Sequence, residues 1–135
     1  MKGQISINGK RYSADHVRAI VADGSVEMPD YLAEVFEFLA NWYDDSDYIL
    51  QQTSGSTGTP SAIKLKKQNM WHSAQSTNTF FSLIPESNIL LALPAAYIAG
   101  KMMILRALAG SMNLHVVPPS GTPEIPDKNF SFAAF

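Results

Sequence analysis

The chain has 135 residues, ten lysines and arginines against twelve aspartates and glutamates, and a formal net charge of −2. This length suits one domain, and a hydrophobic content of 46% against 16% charged residues excludes a disordered or acidic solvating segment. The mild acidity argues against a duplex nucleic-acid binder, and the absence of cysteine excludes disulfides, thiolate zinc sites and cysteine nucleophiles.

Charge divides the chain near residue 47. Nine acids and four bases lie up to Asp47; three acids and six bases follow from Tyr48. We read 1–47 as a solvated lead-in of hairpin and helices, and 48–135 as a second unit. Ile5-Ser6-Ile7 and Lys10-Arg11-Tyr12 flank Asn8-Gly9, a strong short hairpin signal. Ser13 is placed to cap a helix through Ala22, with Gly24 beyond as its stop. Pro29 suits a first helical turn. Tyr31, Leu32, Val35, Phe36, Leu39, Trp42 and Tyr43 then recur at helical spacing, with Glu34, Glu37 and Asn41 opposite.

From Tyr48 the rhythm becomes strand, loop, helix, strand. Tyr48-Ile49-Leu50 runs into a polar, glycine-rich loop, and Ala62 to Lys66 alternates like a half-exposed strand. Gln68 to Leu83 predicts a helix closed by Pro85. Asn88 to Leu93 predicts a strand covered on both faces. Ile98 to Ala109 predicts a helix ended by Gly110, and Leu114 to Val117 a strand stopped by Pro118-Pro119. Alternating strands and helices indicate an α/β fold, a layered and largely parallel sheet flanked by helices. The apolar run from Asn129 to Phe135 reads as the start of a buried element, which leads us to expect a piece of a longer polypeptide with a sheet edge open to self-association.

Chemistry concentrates between Gln52 and Pro60. There Thr53, Ser54, Gly55, Ser56, Thr57, Gly58 and Thr59 place hydroxyl donors among glycines whose backbone N–H groups can converge on one anion. No window fits the P-loop spacing or G-x-G-x-x-G. As chemistry the segment is a phosphate cradle; as composition alone it is also compatible with a flexible surface connection.

The ordered string Thr53-Ser54-Gly55-Ser56-Thr57-Gly58-Thr59-Pro60 resembles the signature loop of the adenylate-forming enzymes: acyl-CoA synthetases, peptide-synthetase adenylation domains and luciferases. Leu93-Pro94-Ala95-Ala96-Tyr97-Ile98-Ala99-Gly100, continuing through Lys101 to Arg106, is similar to that family's acyl-pocket motif. Its Ile-Ala-Gly form with a following Arg most resembles the o-succinylbenzoate–CoA ligase branch, of menaquinone biosynthesis.

The resemblance covers about Tyr48 to Phe135. It implies an incomplete part of the large N-terminal, AMP-binding domain of such an enzyme. The implied parent joins a small-molecule carboxylic acid to ATP, with Mg²⁺, and then to coenzyme A. Thr53, Ser54, Gly55, Ser56, Thr57 and Gly58 would bind the ATP phosphates. Tyr97, Ile98, Ala99 and Gly100 would line the acyl pocket. The family loop usually continues Pro-Lys-Gly where this chain reads Pro60-Ser61-Ala62, and histidine often stands where Tyr97 does. The family's Tyr-Gly-x-Thr-Glu segment, ribose-holding aspartate and C-terminal lysine have no counterpart in the 135 residues, so catalytic residues are not assigned.

Other chemistry is weaker. His16, His72 and His115 lie far apart without acids at ligand spacing, so no metal site is expected within the chain. The run from Ile89 to Leu105 is broken by Pro94, Gly100 and Lys101 and falls short of the ~20 apolar residues of a membrane span. A cytoplasmic protein with no nucleic-acid partner is expected. The competing readings are a non-catalytic nucleotide- or phosphate-binding module and a different acyl-CoA synthetase.

Overall fold

The computed structural model describes residues 3–53 and 61–134. Ser54, Gly55, Ser56, Thr57 and Gly58 of the expected phosphate loop lie outside the described residues. Strands β1 (Ile5–Ile7) and β2 (Lys10–Tyr12) form the hairpin that Asn8-Gly9 predicts, with Ile5 opposite Tyr12. Both turn residues have positive φ, 50° at Asn8 and 84° at Gly9, the left-handed geometry that matches strand twist and favours asparagine and glycine. Helix α1 (Ala14–Ala22) begins at Ser13, whose hydroxyl accepts from the His16 N–H.

Helix α2 (Asp30–Trp42) starts one residue later than the sequence suggests, with Pro29 itself at the extended cap position. Its buried face holds Val35, Phe36, Phe38, Leu39 and Trp42. Phe38 joins this face although the sequence stripe omits it. Ring contacts with Trp42 and the Lys101 ammonium widen the apolar arc there.

The chain then leaves the main sheet. Strands β3 (Tyr48–Thr53) and β4 (Ser61–Lys66) pair antiparallel, from Tyr48 opposite Lys66 to Thr53 opposite Ser61, as a separate two-stranded sheet. The strands around the glycine-rich segment are therefore a hairpin of their own. β4 is more exposed than its alternation suggests: only Leu65 is partly buried, and Lys64 sits over the Tyr48 ring at 4.5 Å. Helix α3 (Lys67–Phe80) follows without a break, tied back by the Lys67 N–H to the Asp47 carbonyl at 2.9 Å and by Lys67 Nζ to Asp44 Oδ1 at 2.7 Å.

Strand β5 (Asn88–Leu91), helix α4 (Ile98–Gly110) and strand β6 (Asn113–Val116) make a parallel strand–helix–strand unit. Ser111 caps α4 in the left-handed region at φ 52°. With β7 (Phe132–Ala134) the sheet has the order β2-β1-β6-β5-β7, parallel except for β2. Thus the N-terminal hairpin extends the sheet that the later strands build, with Ser6 opposite Asn113. Ile5, Ile7, Ile89, Leu91, Leu114 and Val116 share one core with Met103, Ile104 and Leu105 of α4 and with the α2 face. The expected largely parallel, helix-flanked α/β sheet is observed.

Candidate functional site

The strand that leads to the glycine-rich segment meets the second sequence motif at the inner side of the β3–β4 hairpin. Along β3, Ile49 and Gln51 turn inward while Tyr48, Leu50 and Gln52 face out. Thr53 closes the neck of the loop: its hydroxyl donates to the Ser61 carbonyl at 3.1 Å and lies 2.8 Å from the Ser61 hydroxyl. Ser61, which stands where the family's lysine is usual, is thereby engaged across the hairpin.

The second motif forms the turn between β5 and α4. Ala95 is buried; Ala96, Tyr97, Ile98 and Ala99 are exposed, Tyr97 at 61%, and Gly100 is buried. The Tyr97 N–H bonds to the Pro94 carbonyl at 3.2 Å, folding the turn tightly onto the first turn of α4. A Cβ at position 100 would collide with the Pro94 carbonyl oxygen, so only glycine fits there. Tyr97 is the cap residue and makes no side-chain cap bond, so the first-turn N–H groups of α4 and its positive dipole end stand beside an exposed aromatic ring.

A polar network joins the motifs. Lys101 Nζ donates to Gln51 Oε1 at 2.7 Å and to the Ala96 carbonyl at 2.8 Å. Gln51 Nε2 donates to the same Ala96 carbonyl at 3.0 Å and to the Gln52 carbonyl at 3.1 Å. Burial pushes the Lys101 ammonium below its usual value, partly opposed by the charge of Glu34. Thr53 follows Gln51 by two strand residues, roughly 7 Å of chain, and Tyr97 follows Ala96 directly. The loop neck and the 94–100 turn are therefore neighbours. Sequence reading did not place Gln51 or Lys101 at the site. The one available signal was a lysine interrupting an apolar helix, which a buried charge makes only when something holds it.

Other polar groups lie elsewhere. Arg106 is half-buried, with its guanidinium 5.7 Å from the Phe132 ring, and burial lowers its pKa. Its Nε has no hydrogen-bond partner among the described residues. Among the described residues no group of three or more histidines, aspartates and glutamates is gathered as for a metal ion. No described helix is long and apolar enough to cross a membrane. An open groove of about 810 Å³, lined by Tyr48, Lys66, Trp71 and His72, lies at the base of the hairpin, away from the loop neck.

No family model and no curated protein matches the sequence. Among solved structures, an acyl-CoA synthetase (AMP-forming)/AMP-acid ligase II-like protein from Dyadobacter fermentans matches with a TM-score of 0.72 and 28% identity, over 86% of this chain. The chain spans about a third of that protein, 34% of its length. Two structures of o-succinylbenzoate CoA synthetase from Bacillus subtilis are more distant. A double mutant bound with its product analogue has a TM-score of 0.49 and 25% identity, covering 53% of this chain and 15% of that one. A complex with ATP and magnesium ion has a TM-score of 0.46 and 27% identity, covering 50% and 14%. With its mixed, mostly parallel sheet flanked by four helices, the chain has the fold of part of the N-terminal domain of an adenylate-forming enzyme.

Proposed function

We propose that the chain is part of an AMP-forming acid–CoA ligase, with residues 53–58 at the ATP phosphates and Tyr97, Ile98, Ala99 and Gly100 at the acid. The observation that carries this reading is the likeness to the Dyadobacter fermentans protein across most of the chain. The hydroxyl- and glycine-rich segment between β3 and β4 agrees with it.

A carboxylate is a poor nucleophile toward an anionic phosphate, so the protein must align the two and offset the growing charge with oriented donors. In this reading the hydroxyls of Ser54, Ser56 and Thr57 and the backbone N–H groups at Gly55 and Gly58 donate to the β- and γ-phosphate oxygens as pyrophosphate departs. Thr53, whose hydroxyl is engaged with Ser61, holds the loop neck closed. The exposed Tyr97 ring and the small, exposed Ala99 leave room for a bulky acid, while Gly100 lets the turn fold closely onto α4. The positive end of α4 favours the acid's carboxylate.

The donor set suits phosphate oxygens, and Mg²⁺ carried on the nucleotide supplies charge neutralisation when bound. Coenzyme A is the acyl acceptor. The Ile98-Ala99-Gly100 start followed by Arg106 makes o-succinylbenzoate the acid we assign, and cytoplasmic menaquinone synthesis the setting.

In this reading the 135-residue chain binds Mg-ATP, and Ser56→Ala or Thr57→Ala weakens binding about ten- to hundredfold, the worth of one charge-assisted hydrogen bond. The melting temperature stays unchanged. Pyrophosphate release with ATP, Mg²⁺ and o-succinylbenzoate stays at background in the isolated chain, because the ribose-holding acid and the C-terminal lysine of complete enzymes are not in it. Calorimetric titration showing no Mg-ATP binding would remove the loop from the site. One observation favours a second reading, a non-catalytic phosphate-binding module: Ser61 in place of the usual lysine. Acid-dependent pyrophosphate release in any longer protein containing this chain would exclude that module.

A further inference from the structure

We propose that Gln51 and Lys101 are positioning residues that lock the strand entering the hydroxyl–glycine loop to the turn of the acyl-pocket motif, so that both ends of the site move as one. The inference rests on the functional reading for its meaning, but on geometry for its content. β3 belongs to the small two-stranded sheet, while the 94–100 turn is anchored between β5 and α4 of the main core.

Gln51 bridges the two bodies. Its amide oxygen accepts from Lys101 and its amide nitrogen donates to Ala96, while Lys101 donates to Ala96 as well, closing a three-membered ring of bonds at 2.7–3.0 Å. Both side chains are more than nine-tenths buried, Gln51 at 7% and Lys101 at 9% exposure. Stability alone does not account for a cation in such a place. Lys101 makes no ion pair within 4 Å among the described residues, the charge of Glu34 acting on it only from farther off; its hydrogen-bond acceptors are neutral oxygens, and the Phe38 ring lies 5.9 Å away. An apolar side chain of similar length would remove a desolvation cost at this position. What an apolar residue could not do is hold Gln51 and Ala96 in a fixed relation. Directionality is the property retained, and it fixes where the loop neck stands relative to the first turn of α4.

The test uses the whole 135-residue chain and reads backbone hydrogen exchange by mass spectrometry, with and without Mg-ATP. Variants are Gln51→Leu, Lys101→Met, the double variant, and Gln51→Glu, which keeps an acceptor for Lys101. Without ligand, each apolar variant is expected to speed exchange about tenfold in both 49–53 and 94–101, the change that 1.4 kcal/mol produces in an equilibrium. The double variant should be no worse than either single one, and Gln51→Glu should restore protection to 94–101.

Additive effects, or effects confined to the mutated side, would overturn the lock. With Mg-ATP, protection should spread from the loop to 94–101 in the parent chain and stop at the loop in the apolar variants. Equal spreading in those variants would also overturn it. Absence of any Mg-ATP protection in the parent chain would count against the phosphate-loop reading instead, leaving the ligand-free comparison to decide the lock. Where Lys101→Met fails to fold, Gln51→Leu and Gln51→Glu carry the same comparison.

Discussion

Gly100 is the residue on which the turn between β5 and α4 depends most directly. Because a Cβ would meet the Pro94 backbone, Gly100→Ala must move the turn or the helix, at a cost of about 1–3 kcal/mol. Gly121→Ala, with nothing within 4 Å, should cost none of this, and urea unfolding of the two variants checks the difference. His115 gives a second residue-scale expectation. It is buried on β6, its Nε2 3.0 Å from the Asn88 amide oxygen and its ring edge-on to Phe130 at 5.3 Å. Burial, with the charge of Lys128 second, lowers its pKa below 6.5. The unfolded chain then takes up the proton more readily. Stability contributed here is full above the ordinary imidazole value and is lost as pH falls through it. The melting temperature should drop between pH 7 and 5, and His115→Gln should flatten that drop; an identical slope in the variant would refute the assignment. Asp44, whose carboxylate is held below 3.8 chiefly by its hydrogen bond from Lys67, adds a separate loss only in stronger acid.

At the scale of elements, the two helix starts make opposite predictions. α1 has its Ser13 hydroxyl on the His16 N–H, so Ser13→Ala should cost about 1 kcal/mol. α3 has Lys66 at its cap position, extended but supplying no side-chain cap bond, so Lys66→Asp should gain a similar amount from cap and dipole together. Thermal unfolding monitored by circular dichroism reads both. These starts also show what was legible in the sequence. Asn8-Gly9, the Ser13 cap, the α2 stripe and the short apolar strands β5 and β6 are local signals, and each element appears within one or two residues of where the sequence places it. What was not legible depends on partners distant in sequence. Nothing in Ile5-Ser6-Ile7 says that it pairs with Asn113-Leu114 rather than only with its own hairpin. Nothing in Tyr48 to Lys66 says that those strands stand apart from the main sheet. Gln51 and Lys101 were overlooked for the same reason, since their meaning lies in each other and they are 50 positions apart.

For the whole molecule, the exposed aromatic patch beside β7 is the feature that bears on solution behaviour. β7 ends the sheet order, and beside it Phe132 contacts Phe81 at 5.1 Å, which contacts Phe80 at 4.9 Å. Phe80 is 79% exposed and Phe81 52%. An edge strand next to an aromatic patch pairs readily with another chain. Sedimentation should show self-association at roughly tens of micromolar, where exposed edges associate. Phe80→Ser with Phe81→Ser should suppress it; a monomer in the parent chain would refute the expectation.

The N-terminal hairpin has a consequence in time rather than in space. Asn8 bonds through its side chain to the backbone of Val116, 108 positions away, and β1 fills its place only beside β6. During folding β1 must wait for β6, about a hundred positions away in the chain, while α1, α2 and the β3–β4 hairpin can form from local contacts alone. Closing so long a loop is slow, so the apolar side of the hairpin stays uncovered until β6 is in place. Refolding should therefore show helix signal first and protection of the Ile5 and Ile7 amides last.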